Sequence, residues 1–132
     1  MRLKDKIAIV TGGASGFGKG IIEKFIKEGA KVVIADVNYE LAKEVQGSIG
    51  VDSLAIKVDV SDKIEVENMI EKTIKHFSKV DILVQNAAIG MRPQPLLNTS
   101  EELFDKIFSV NVKSVFLGAK AVIPHFIEQG NG

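Results

Sequence analysis

The chain has 132 residues, with 17 basic and 17 acidic side chains and a formal net charge of zero. Balanced charge argues against a nucleic-acid or anionic-membrane binder, and no uninterrupted apolar run reaches the ~18–20 residues that span a bilayer. With no cysteine there is no disulfide framework or thiolate metal site, and the charged start Met1-Arg2-Leu3-Lys4-Asp5 does not read as a signal peptide; one cytoplasmic domain is expected.

Along the chain, short Val/Ile-rich runs at Lys6–Val10, Lys31–Ala35, Leu54–Val58 and Val80–Val84 predict strands. Each is nearly continuous rather than alternating, as suits a parallel sheet covered on both faces. After the first strand, Phe17, Ile21 and Phe25 recur every four residues, with Ile22 and Ile26 widening the stripe, and Gly29 stands where a left-handed cap is wanted. A third helix carries Val66, Met69, Ile70, Thr73 and Phe77, with Ser61 expected as its N-cap. The segment Ile89–Asn98 reads as irregular. A last helical stretch runs from about Ser100 to Gln129, with Thr99 and Glu102 at capping-box spacing and a kink expected at Pro124. Strand–helix alternation of this kind predicts an α/β fold, a doubly wound, Rossmann-like parallel sheet.

Immediately after the first strand comes Thr11-Gly12-Gly13-Ala14-Ser15-Gly16-Phe17-Gly18. A strand that turns sharply into a helix needs residues that tolerate positive φ, and a phosphate approaches the backbone where no Cβ intervenes. The helix start then offers amide donors and the positive end of its dipole to an anion. Asp36 ends the second strand, 18 residues past Gly18, where a dinucleotide-binding βαβ unit places a carboxylate on the adenosine ribose. No Arg or Lys stands at Ser15, Val37 or Asn38 to receive a 2′-phosphate, so NAD is expected over NADP. A ligand-free glycine turn and an ordinary strand-end aspartate are the alternative.

On these residues the chain resembles the short-chain dehydrogenase/reductase family, whose pattern Thr-Gly-x-x-x-Gly-x-Gly is met by Thr11, Gly12, Gly16 and Gly18. The resemblance covers the whole chain and implies a set of cofactor contacts. These are Gly12, Ser15, Gly16, Phe17 and Gly18 in the loop, Asp36 and Val37 after the second strand, and the adenine-contacting pair Asp59 and Val60. Asn86, Ala87 and Ala88 complete the set, within Gln85-Asn86-Ala87-Ala88 where the family usually has Asn-Asn-Ala-Gly. Asn111 resembles the family's catalytic-tetrad Asn, which breaks the fourth helix and holds a proton-relay water.

The resemblance further implies hydride transfer between nicotinamide and an alcohol or ketone, using a Ser and a Tyr-x-x-x-Lys that would follow a fifth strand. That half is not in these residues, so 1–132 is expected to be the N-terminal part of an NAD-binding domain, apparently truncated after the fourth strand and helix. A catalytically inactive NAD-binding or self-associating fragment is the alternative. The Tyr39-to-Lys43 spacing imitates the catalytic pair, but it directly follows Asp36 on the adenosine side, far from where nicotinamide would lie. His76, His125 and Arg92 read as surface residues. An exposed edge at Val80–Val84, and Val115, Phe116, Ala119, Val122, Ile123 and Phe126 on the fourth helix, predict a homo-oligomer.

Overall fold

A computed structural model describes residues 1–50 and 52–132. Four strands, β1 (Ile7–Thr11), β2 (Lys31–Asp36), β3 (Ser53–Lys57) and β4 (Ile82–Val84), form one parallel sheet in the order β3-β2-β1-β4. Helices α1 (Gly16–Lys27), α2 (Tyr39–Ile49) and α3 (Lys63–Phe77) make the crossovers, and α4 (Glu101–Phe108) runs through a π-helical turn, Ser109–Lys113, into α5 (Ser114–Gln129). The doubly wound α/β expectation holds.

Side-chain alternation explains the near-continuous strands. Ile9, Val33, Ala35 and Ile56 face one layer, with Met69 and Ile70 of α3 and Leu117 and Val122 of α5. Their neighbours Val10, Val32, Ile34 and Ala55 face the other, with Ile22 of α1 and Ala42 and Val45 of α2. Both faces are covered by helices, so both parities are mainly apolar.

Several expected boundaries move. β4 is shorter than Val80–Val84, because the Gln129 side chain holds Val80: its Oε1 accepts the Val80 N–H at 3.3 Å and its Nε2 donates to the Val80 carbonyl at 2.8 Å. Asp62, not Ser61, caps α3 by accepting the Glu65 N–H, while the Ser61 hydroxyl turns back to Asp59. Ser100, not Thr99, caps α4 through the Leu103 N–H, and Thr99 donates instead to the Pro95 carbonyl. Leu96–Asn98 forms a short 3-10 turn inside the stretch read as irregular, and α5 continues through Pro124. Phe17 is not part of the buried stripe of α1. At 89% exposed it stands on the first turn, beyond the sheet.

Helix formation joins apolar stretches that the sequence shows only as separate runs. The helical run Glu101–Gln129 is long and apolar enough to cross a membrane by length and composition alone. Lysines at 113 and 120 interrupt the apolar letters, which is why no continuous run is visible in the sequence. Here the run packs on the sheet through Leu117 and Val122, leaving Phe104, Phe116, Ile123 and Ile127 exposed.

The winding reverses at β1: β2 and β3 lie on one side and β4 on the other. A crevice therefore opens beyond the carboxyl ends of β1 and β4, the place where open α/β sheets bind ligands. At the opposite end, buried Asp81 accepts the Ile7 N–H at 2.8 Å and pairs with Lys79 at 2.9 Å and Lys6 at 3.5 Å, locking β4 to β1.

Candidate functional site

A groove of about 590 Å³ occupies this crevice. Gly12, Ser15 and Phe17 line it from the glycine loop, and Asp36 and Val37 from the end of β2. Val58, Asp59 and Val60 follow β3; Asn86, Ala87, Ala88 and Ile89 follow β4; Lys106 and Val110 come from α4 and the π turn. Thus most of the sequence-predicted contacts converge on one wall-to-wall site. Gly16, Gly18 and Asn111 do not line it; they shape the residues that do.

The loop needs glycine for two different reasons, seen at Gly16 and Gly18. Gly16 has φ of +52° with nothing within 4 Å of where a Cβ would stand, so its backbone faces open space. Gly18 is the opposite case: a Cβ would overlap the Gly12 carbonyl and lie 2.7 Å from Asn86 Nδ2. Helix α1 begins without a side-chain cap, unlike α2, α3 and α4, and its first intrahelical bond runs from the Lys19 N–H to the Ser15 carbonyl. The amides of Gly16, Phe17 and Gly18 precede that bond and have no intrahelical acceptor. An anion placed there would meet both free donors and the helix dipole.

Thr11 and Asn86 hold the loop to the end of β4. The Thr11 hydroxyl accepts the N–H groups of Asn86 and Ala87, both at 3.1 Å. Asn86 Nδ2 donates to the Thr11 carbonyl at 3.0 Å and the Gly12 carbonyl at 3.3 Å. Gln85 plays a different part: its Nε2 donates to the Val115 carbonyl at 3.2 Å, and its side chain fills the space above Gly118. Loop bracing therefore rests on Asn86 rather than on the residue before it.

Asp36 is fixed in place by its neighbours. One carboxylate oxygen accepts the Ala14 N–H and the other the Asn38 N–H, both at 3.0 Å. A carboxylate has about four acceptor sites, so each oxygen keeps capacity for a hydroxyl. Asp59 is held by the Ser61 hydroxyl at 2.6 Å and the Ser61 N–H at 2.9 Å. Those bonds hold its carboxyl below the usual range, with Lys106 across the groove adding to the effect and partial burial opposing it.

Asn111 sits within the π turn, where the helix is interrupted as the resemblance implied. Its side chain binds the backbone of Ile89 and so fixes the groove wall from behind. Sequence reading missed Ala35, Val58, Ile89, Lys106 and Val110 as lining residues; the first three adjoin predicted contacts, whereas Lys106 and Val110 reach the groove by tertiary packing that no local pattern marks. Tyr39 and Lys43 lie elsewhere, with Lys43 Nζ 4.8 Å above the Tyr39 ring and 3.0 Å from Glu40. Tyr39 lines a separate hollow at the outer edge of β3.

Residues 6–132 match the family model described as short chain dehydrogenase. The chain is 41% identical over 134 residues to 2,5-dichloro-2,5-cyclohexadiene-1,4-diol dehydrogenase LinX of Sphingobium indicum, covering 99% of this chain and 53% of that protein. It is 34% identical over 133 residues to 3beta-hydroxysteroid dehydrogenase 2 of Eggerthella lenta, covering 98% of this chain and 51% of that protein. Among solved structures, 3-ketoacyl-(acyl-carrier-protein) reductase from Brucella melitensis, complexed with NADH, superposes with a TM-score of 0.94 at 45% identity, covering 97% of this chain and 53% of that one. The chain thus spans about half the length of the curated relatives it matches.

Proposed function

Because this chain belongs to the short-chain dehydrogenase family, we propose that it is the nucleotide-binding part of an NAD-dependent oxidoreductase acting on an alcohol/ketone pair. The observation that carries the reading is Asp36, a carboxylate held at the groove by two backbone amides, with no cation at the flanking Val37 and Asn38. A carboxylate there accepts ribose hydroxyls and repels a 2′-phosphate.

The residues present fit a dinucleotide. The uncapped amides of Gly16, Phe17 and Gly18 suit a diphosphate, and the side-chain-free space at Gly16 lets it approach the backbone. Val58 and Val60 give an apolar surface for the base, with the Asp59 carboxylate beside it. Bound there, NAD would supply the hydride acceptor. Asn111 acts as a positioning residue, holding the Ile89 backbone at the groove wall. The Ser and Tyr-x-x-x-Lys that the resemblance calls for have no counterpart at this groove among the described residues. Turnover and substrate are therefore assigned to the whole protein and not to residues 1–132, for which NAD binding without turnover is the expected activity. The exposed apolar face of Phe104, Phe108, Phe116, Ile123 and Ile127 supports a homo-oligomeric assembly.

Thermal unfolding with each dinucleotide tests this. A ligand at 100 times its dissociation constant stabilises by about 2.7 kcal/mol. NAD should raise the midpoint at concentrations where NADP does not; equal shifts, or none with NAD, would refute the cofactor assignment.

A further inference from the structure

We propose that the outer edge of β3 is a docking site for an extended acidic peptide segment of a partner protein, which joins the sheet as an additional strand. Among the described residues, β3 ends the sheet and pairs with β2 alone. Beside it lies a hollow of about 640 Å³, sharing no residue with the nucleotide groove, which runs along Leu54, Ala55, Ile56 and Lys57 of the strand and is bounded by Tyr39 of α2. Strand addition uses such an edge, with main-chain bonds supplying affinity and alternate side chains specificity. Here Gln46 Nε2 already holds the Ser53 carbonyl at 2.8 Å, so the added strand would pair along Leu54–Lys57, where Leu54 is half-buried and Lys57 exposed.

Charge selects the occupant. Lys57 on the strand, and Lys72, Lys75 and His76 on α3, line this hollow. Residues 72, 75 and 76 stand at i, i+3 and i+4, so α3 turns one basic face toward the edge. All are exposed, and among the described residues none of the three lysines has a carboxylate within 4.0 Å. The acidic side chain in the adjoining hollow, Glu65, is engaged by the Asp59 N–H at 2.6 Å. A second copy of this chain is disfavoured as the occupant, since edge-to-edge pairing would bring two sets of lysines together. An acidic strand meets the same charges with opposite sign.

The test titrates the full chain with two synthetic peptides, acetyl-Glu-Val-Glu-Val-Glu-Val-amide and its Lys-for-Glu counterpart. Calorimetry at low and high salt is combined with hydrogen exchange. The acidic peptide should bind, slow exchange of the outward amides of Ala55 and Lys57, and weaken with salt, while the basic peptide should not bind. Combined Lys57→Glu, Lys72→Glu and Lys75→Glu substitutions should weaken the acidic peptide about tenfold or more, as expected for three exposed ion pairs. The same variant should leave the NAD-induced thermal shift unchanged, which separates this proposal from the cofactor reading. Should that variant fail to fold, the single change Lys75→Ala and the salt dependence carry the same test. Absence of binding by the acidic peptide, equal binding by the basic one, or protection confined to other segments would overturn the proposal.

Discussion

Asn111 grips both backbone groups of Ile89: its Oδ1 accepts the Ile89 N–H at 2.8 Å and its Nδ2 donates to the Ile89 carbonyl at 2.7 Å. The π turn Ser109–Lys113 carries the amide, so a helix interruption far along the chain sets the conformation of the segment leaving β4. Asn111→Ala leaves two half-buried backbone groups without partners and should cost about 2 kcal/mol. Asn111→Asp keeps the acceptor but sets a carboxylate oxygen against the Ile89 carbonyl, so near neutral pH it should be no more stable than the Ala variant. Urea unfolding measures both, and an Ala variant as stable as the parent would show that water replaces the side chain.

Asp36→Ala removes the acceptor for Ala14 and Asn38 together with the proposed ribose contact. Charge-assisted hydrogen bonds contribute about 1.5–3 kcal/mol, so NAD affinity should fall roughly tenfold or more. NADP affinity should fall less or rise, because a repulsive charge is also lost. Equal losses in calorimetric titration would count against the ribose role.

Gly16→Ala and Gly18→Ala should separate strain from close packing. At Gly18 the added methyl meets the Gly12 carbonyl and the Asn86 amide, and overpacking typically costs about 1–3 kcal/mol. At Gly16 there is room for a methyl, and only the left-handed conformation is penalised, by about 1 kcal/mol. Gly18→Ala should thus unfold more readily. Gly16→Ala should fold but bind NAD more weakly, its methyl standing where the phosphate approaches; unchanged affinity would place the phosphate elsewhere.

How much of this was legible in the sequence depends on how local the cause was. The strands and α1 could be read because continuous Val/Ile runs and four-residue spacing are local. The Ser61/Asp62 and Thr99/Ser100 caps were each misplaced by one residue, because adjacent residues are equally able to cap and the chain's entry angle decides between them. Gln129 shortens β4 from a distance of 49 residues, and Lys106 reaches the groove from another helix. Such contacts leave no periodic trace. Thr11 stood in the motif, but its hydroxyl's role as acceptor for both Asn86 and Ala87 is visible only once β4 lies beside β1.

Asp81 gives the fold an acid-sensitive lock. Burial works to raise its pKa, but the Ile7 N–H together with Lys79 and Lys6 outweighs it, so the carboxyl lies below its ordinary value. A depressed folded-state pKa contributes stability that is present above the unfolded value near 3.9 and lost as pH falls through the folded one. Both lysines are partly exposed, so Asp81→Asn should cost about 2 kcal/mol near neutrality, below the roughly 3–5 kcal/mol of breaking a fully buried pair. Denaturation curves between pH 2 and about 5 should be less steep in acid for the variant; parallel pH profiles would place the acid sensitivity in other carboxylates.

The most direct test of the nucleotide-binding assignment is a crystal structure of the protein with NAD at saturating concentration. The adenosine ribose should rest on the Asp36 carboxylate and the diphosphate against the amides of Gly16–Gly18. A dinucleotide bound away from Asp36, or a groove left empty at that concentration, would contradict it.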